Sequence, residues 1–249
     1  MIIEIFNVTH ILTILLIPIF AYFALILILN KRGENVKRNV LLCICCFNAI
    51  MYVVYKFAQA QNAPYDFDIF TNLPLHFCNI NLILLPLAIL LKNKCLMAYQ
   101  FYFGTILACL ALVTVHPNFV STPVFRFTTF FYFYYHSMLV VIPVLLVKFK
   151  FFTPSFKMVW QPTLMLVALT LVIHIINVIF RTTGIAYYAN YFFTFGLYGD
   201  FFTELFWRII PFEFFFLLPA LVTLAPYVII TTLPFHLSEK RKCKAVKEL

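Results

Sequence analysis

Seven apolar stretches, each about 20 residues long and so long enough to cross a bilayer as a helix, leave this chain very few folds. They fall near 9–29, 39–57, 73–91, 96–114, 128–147, 160–180 and 208–234. The connections between them are short and take up little of the 249 residues. Hydrophobic residues make up 64% of the chain and charged residues 11%. A soluble domain is closer to half apolar and a quarter charged, and could not hide this much apolar side chain. The expected fold class is an all-α membrane protein. It is read as one polytopic domain over 1–249, a bundle of about seven transmembrane helices.

Charge orients the bundle. Lys31, Arg32, Lys37, Arg38, Lys92, Lys94, Lys148, Lys150, Lys157 and the tail Lys240, Arg241, Lys242, Lys244 and Lys247 all fall on alternate connections. The opposite set holds Lys56, Arg126, Arg181 and Arg208, together with Asp66, Asp68, Asp200 and Glu204. Fourteen of the 18 basic residues therefore share one side. Basic connections face the cytoplasm, which places the N-terminus outside and the C-terminus in the cytoplasm. Met1 to Asn7 holds Glu4 and no Lys or Arg, so the basic start of a cleavable signal is missing. The net charge of +9 does not point to nucleic acid, because the basic residues form no aromatic-interleaved patch. The expected partners are membrane lipids.

The seven cysteines show no metal-ligand spacing, and no metal or other cofactor is expected. Cys43, Cys45, Cys46, Cys95 and Cys243 fall on the cytoplasmic side, where thiols stay reduced. Pro18, Pro86 and Pro143 interrupt three spans. Pro211, Pro219, Pro226 and Pro234 recur at intervals of 8, 7 and 8 along the last, close to two helical turns. They imply kinks and admit a mobile last helix. Between Arg181 and Trp207 the chain is crowded with Tyr187, Tyr188, Tyr191, Phe192, Phe193, Phe195, Tyr198, Phe201 and Phe202. Such rings collect at a membrane interface, and this stretch is a candidate lid.

Ionisable and amide groups at membrane depth are costly and suggest function. His76 and Asn79 fall in the outer turns of the third stretch, three residues apart and so on one helical face. Asn81 follows about a turn deeper. His136 and Ser137 lie about two turns into the fifth stretch, His174 and Asn177 in the last turns of the sixth, and Glu213 about a turn into the seventh. His116 and Arg126 flank the connection before the fifth. All fall in the outer half, and the inner half reads as almost purely apolar. These positions predict a polar chamber open to the outside, shared by helices three, five, six and seven. The plain alternative is that each group bonds a neighbouring helix.

Several chemistries are excluded. No Gly-x-Ser is available for a nucleophile elbow, and the last helix has no Lys for a Schiff base. A thiol activated by an imidazole is a possible acyl acceptor. Cys78 and His76 are two apart and point away from each other on a helix, so His136 is the better base for Cys78. An inert, packed thiol is the competing reading.

Leu73-Pro74-Leu75-His76-Phe77-Cys78 resembles the entry to a helix in the bacterial YwaF-like membrane proteins, which are related to the animal transmembrane protein 164. The aromatic run Phe130-Phe131-Tyr132-Phe133-Tyr134-Tyr135 ending in His136, and Asn177 followed by Gly184 and Asn190-Tyr191, are similar to that family in order and spacing. The likeness covers roughly Leu73 to Pro219. The aromatic segment after Asn190-Tyr191 departs from it. The resemblance implies seven helices in a cell membrane and, through the animal relative, transfer of a fatty acyl chain between phospholipids or lysolipids by a cysteine-centred acyltransferase. On that reading His136 is the general base or acid, His76 its helper and Cys78 the nucleophile. Asn79, Asn177, Asn190, His174 and Arg126 then hold the acyl carbonyl or head group. A transporter or channel for a small polar solute stays open, as does a non-catalytic membrane partner subunit. A transporter needs a polar path through the inner half, which the stretches do not offer.

Overall fold

A computed structural model describes residues 1–62, 68–70, 72–115, 119–195 and 201–247. His116, Asp66, Tyr198 and Asp200 lie outside these, as do the side chains of Phe201, Phe202 and Cys243. The described chain is almost wholly helical. Its helices are α1 (Val8–Leu29), α2 (Glu34–Asn62), α3 (Phe77–Leu90), α4 (Lys94–Tyr99), α5 (Thr105–Val113), α6 (Phe127–Lys148), α7 (Trp160–Thr182), α8 (Phe201–Ile209) and α9 (Leu218–Lys247). A π-turn, Gln100–Gly104, joins α4 to α5 into one continuous rod. Six helical segments are long and apolar enough to cross a membrane: Val8–Leu29, Glu34–Gln61, Lys94–Val113, Phe127–Lys148, Phe156–Thr182 and Phe215–Glu239. The chain is a multi-pass membrane protein.

The third stretch differs from expectation. Only 14 residues, Phe77–Leu90, are helical. They span about 21 Å, where a hydrocarbon core needs about 30 Å. His76 is therefore not in the outer turns of a helix. It is the N-cap residue of α3, with extended backbone (φ −74°, ψ 152°). Pro74 keeps Leu73 out of the helix, since it disfavours helical backbone in the residue before it.

A small strand pair fixes the parity of the crossings. Ile2–Ile3 (β1) pairs antiparallel with Thr122–Pro123 (β2), Ile2 opposite Pro123 and Ile3 opposite Thr122. Ser121 adds a bond from its hydroxyl to the Glu4 carboxylate, 2.7 Å. The N-terminus and the connection before α6 thus lie on one face of the membrane. An even number of crossings must separate them. α1, α2 and the α4–α5 rod supply three, so α3 supplies the fourth. The irregular Asn72–His76 backbone completes its passage, a device tolerated at membrane depth only where protein or a polar cavity surrounds it.

The seventh stretch is also broken. α8 ends at Ile209, a 3-10 turn covers Phe215–Leu217, and α9 begins at Leu218. Pro211 has no N–H to continue α8 and disfavours helix at Ile210. Pro219 is acceptable in the first turn of α9. Glu213 consequently lies in the non-helical break and is exposed, not one turn into a span.

Contacts group the chain into two compact units, Met1–Phe152 and Thr153–Leu249. In the first, α6 is the central helix, packed against α1, α2, α3, α5 and the π-turn. Its N-terminal half is an aromatic column, with Phe127 stacked on Phe131 at 5.9 Å and Phe131 against Tyr135 at 5.5 Å. His10 pins α1 to α5. The Phe6 amide donates to its Nδ1 at 3.0 Å, so Nε2 carries the proton and donates to the Leu112 carbonyl at 2.9 Å. In the second unit, α7 packs against the Tyr191–Phe193 turn and α8 against α9.

Candidate functional site

The first unit gathers Cys78, His136 and a group of tyrosines. Cys78 sits in the first turn of α3, partly exposed. No side chain caps that turn. Phenols from three helices pack nearby: Tyr99 of α4 lies against Phe77, the residue before Cys78, at 6.0 Å, and Tyr52 of α2 lies edge-on against Tyr135 of α6 at 6.0 Å. Asn79, one residue on, is buried, and its backbone N–H donates to the His76 carbonyl at 3.0 Å.

His136 is buried in the same bundle. Its ring lies against Tyr135, with centroids 4.0 Å apart, and against Tyr132 at 4.4 Å. Nδ1 is 2.8 Å from the Tyr132 carbonyl oxygen. A carbonyl can only accept, so Nδ1 carries the proton and Nε2 is the basic nitrogen. No hydrogen bond joins His136 to Cys78 among the described residues. Tyr135 touches the imidazole with its ring and packs against Tyr52 and Tyr55 of α2.

A cation stands above this group. Lys56 lies about 33 Å along α2 from Glu34, one hydrocarbon thickness away, on the face that carries the N-terminus. Its Nζ donates to Gln59 Oε1 and to Asn72 Oδ1, each at 3.0 Å. It also sits over the Tyr52 and Tyr55 rings at 5.5 and 5.4 Å. Two of its three N–H donors are used on neutral amides, leaving one for an anion. Tyr52 is one turn, about 6 Å, deeper. The sequence reading counted Lys56 only as a loop charge.

The expectation of an apolar inner half fails at Gln100. This residue is fully buried about 9 Å from the Lys94 end of its rod, and its Nε2 donates to Asn81 Oδ1 at 3.0 Å. The π-turn makes room for it. A Cβ on Gly104 would stand 2.7 Å from Gln100 Oε1. Several other buried atoms here have no hydrogen-bond partner: Asn48 Oδ1, Tyr52 Oη, Asn81 Nδ2, Tyr99 Oη, Gln100 Oε1 and Ser137 Oγ. Each of them belongs to the first unit. Native interiors hold few such atoms, and each asks for an explanation.

The second unit treats its polar residues differently. Asn177 of α7 is fully buried. Its Nδ2 donates to the Tyr191 carbonyl and to Thr194 Oγ1, both at 2.8 Å, and its Oδ1 accepts from the Tyr191 amide at 3.0 Å. Both amide protons are spent on the protein itself. Thr194 Oγ1 also meets His174 Nδ1 at 3.0 Å. Asn190 closes a local ring with Phe195, donating to its carbonyl at 2.6 Å and accepting from its amide at 2.8 Å. Phe195 is held between His174, stacked at 4.8 Å, and the Arg181 guanidinium at 4.5 Å. Phe192 and Phe193, with φ of 58° and 55°, take left-handed backbone that costs a non-glycine residue energy. Glu213 lies within electrostatic reach of His174. Asn177, Asn190 and His174 together clamp the segment after α7 onto that helix. Arg126 is the exposed residue at the start of α6 and joins neither group.

Among the described residues no cluster of His, Cys, Asp or Glu could hold a metal. No curated protein and no solved structure matches the chain. Residues 5–231 match the sequence pattern of the TMEM164 family, a stretch that takes in every helix through α8 and most of the apolar part of α9. The chain belongs to the TMEM164 family.

Proposed function

We propose that this protein transfers a fatty acyl chain between membrane lipids, with Cys78 as nucleophile and His136 as the base that takes and returns its proton. One observation carries the reading. Cys78 stands in the first turn of a helix that begins inside the membrane, in the same bundle as the buried, singly protonated His136. A broken helix end at membrane depth is where lipid and a polar site can meet. His76 and Asn79 flank the thiol at that break. The N-terminal face, outward by the positive-inside rule, is the side from which the lipid enters.

Depth supports a phosphate-bearing lipid. Lys56 lies at the interface with one donor to spare, and the Tyr52–Cys78 level is one turn below it. A phospholipid places its ester carbonyls a few ångströms inside its phosphate. With the phosphate at Lys56, an ester carbonyl comes to the level of the thiol.

The test is acyl transfer in vesicles containing the full chain, a phospholipid donor and a lysophospholipid acceptor. The wild type is expected to move acyl chains and to carry an acyl mass on Cys78. Absence of both sinks the reading. A second reading, passage of a small polar solute, draws on Asn48 and Gln100, which put amides where the sequence had suggested none, and on Asn81, which bonds Gln100. Solute flux without acyl transfer from the same vesicles would favour it.

A further inference from the structure

We infer that Asn81, Gln100 and Gly104 form a binding site for one water molecule inside the first unit, between α3 and the rod of α4 and α5. The site involves no acyl-transfer step and does not depend on that reading. Gln100 Nε2 donates to Asn81 Oδ1 at 3.0 Å. Two carboxamides can pair reciprocally, each donating to the other. This pair is closed at one end only. Asn81 Nδ2, a donor, and Gln100 Oε1, an acceptor, have no partner among the described residues. Both side chains are at 0% exposure, so bulk water does not meet them.

The two atoms stand beside one point. A Cβ on Gly104 would lie 2.7 Å from Gln100 Oε1 and 3.6 Å from Asn81 Nδ2. They are therefore within about 6 Å of each other, the reach of one water making two bonds of about 2.8–3.0 Å. A water there accepts from Asn81 Nδ2 and donates to Gln100 Oε1, matching the unmet groups in kind and number. An anion could not serve Gln100 Oε1, and a metal cation could not serve Asn81 Nδ2. Every residue of the π-turn is buried, which suits a trapped water and not a lipid head group.

The backbone is not what needs the water. The Gln100 carbonyl accepts from the Thr105 amide and from Thr105 Oγ1, the latter at 3.2 Å. The unmet demand belongs to the two side chains alone. Gly104 lets it arise, because with a side chain there the Gln100 carboxamide could not stand so close to the backbone. A glycine inside a helix weakens it, and π-turns are rare and gather at functional positions. Both fall on the five residues that begin with Gln100. Buried waters make two to four bonds to otherwise unmet polar groups and are costly to remove. This one completes the link between the rod and α3, whose 14 residues are too few to span alone.

The experiment is solid-state NMR of the full chain in phosphatidylcholine bilayers, with the Asn and Gln side-chain nitrogens labelled. It follows magnetisation passing from water to each side-chain amide, and Asn81→Leu assigns the Asn81 signal by removing it. Asn177 is the dry internal standard, since both its amide protons are bonded to protein groups. Transfer to Asn81 Nδ2 is expected to be several-fold faster than to Asn177. Gly104→Ala puts a methyl at the shared point, so Asn81 should drop to the Asn177 level while Asn177 is unchanged. Gly104→Ser brings a hydroxyl that can accept from Asn81 and donate to Gln100. Its thermal midpoint should lie above that of Gly104→Ala, against the helix preference for alanine. Transfer to Asn81 no faster than to Asn177 in the wild type overturns the proposal, and that result needs no variant to fold. So does a Gly104→Ala protein whose Asn81 still behaves as in wild type, or an alanine variant at least as stable as the serine one.

Discussion

The two units hold polar groups at membrane depth in opposite conditions. Around Asn177 every amide proton has a partner, and the partners are the Tyr191 backbone and the Thr194 hydroxyl, 14 and 17 residues away. In the first unit the buried phenols Tyr52 and Tyr99, the Asn81–Gln100 pair, Asn48 and Ser137 keep atoms without partners. A satisfied group at that depth holds the fold, and its cost is met where it stands. An unsatisfied group costs stability continuously unless something else meets it. Depth and residue type do not separate the two conditions, whereas hydrogen-bond accounting does. His174, Asn177 and Asn190 look like His76, Asn79 and His136 in sequence, yet their polar atoms are spent on holding the segment after α7.

The contrast breaks first at the catalytic pair. A positioned general base contributes about 10²–10⁴-fold, so His136→Ala should nearly abolish acyl transfer in vesicles. Cys78→Ser should fall as far, since a hydroxyl ionises much less readily than a thiol. Near-wild-type transfer by Cys78→Ser would remove the thioester and leave His136 activating a lipid hydroxyl directly. Next in size is Asn177→Leu. It deletes three buried hydrogen bonds and strands the Tyr191 amide, at a cost of roughly 2–3 kcal/mol. Its thermal midpoint should fall well below that of Tyr52→Phe. Should Asn177→Leu keep wild-type stability while Tyr52→Phe loses several degrees, the division into structural and functional groups is inverted.

Six of the seven apolar stretches were legible as membrane-length helices because they rest on one-dimensional facts. Apolar length and alternating charge mark the spans whatever the packing, and the β1–β2 pair agrees with that alternation. What failed was local backbone. Leu73 to His76 is apolar enough to read as a helix, but Pro74 bars Leu73 from it and the helix starts at Phe77 with His76 as its cap. Pro211 likewise turns one predicted span into α8, a break and α9, which moves Glu213 out of the helix. The clamp of Asn177 on Tyr191 and Thr194 could not be read, because a tertiary bond leaves no period in the sequence. Gln100, Tyr52 and Tyr99 were visible but ordinary: one neutral amide, and two of 14 tyrosines. Only the absence of partners sets them apart.

A smaller effect tests the upper edge of the first unit. If Lys56 meets a lipid phosphate, Lys56→Met should raise the KM for a phospholipid donor about tenfold, in line with one charge-assisted bond of 1.5–3 kcal/mol partly screened at the interface. kcat should change little, since Lys56 lies a turn away from the thiol. A neutral diacylglycerol donor should be affected far less, and Lys56→Arg should recover most of the loss. An equal KM rise for both donors would make Lys56 a support for Tyr52 and Tyr55.

The smallest effect belongs to the satisfied unit and checks that its role is only structural. Gly184 ends α7 with φ +74° and has open space where a Cβ would stand. Its amide meets the Arg181 carbonyl at 3.3 Å, and the chain then turns back so that Ala186 reaches the Phe180 carbonyl at 3.0 Å. An alanine there meets no neighbour, so its cost is backbone strain alone, about 1–2 kcal/mol. Gly184→Ala should lower the thermal midpoint by a few degrees, less than Asn177→Leu. The rate of Cys78 acylation, measured well below the midpoint, should stay within twofold of wild type. Acylation falling tenfold with stability intact would mean that the turn leading to Asn190 and Tyr191 does more than hold α7, and that a fully bonded polar cluster can serve the chemistry as well as the fold.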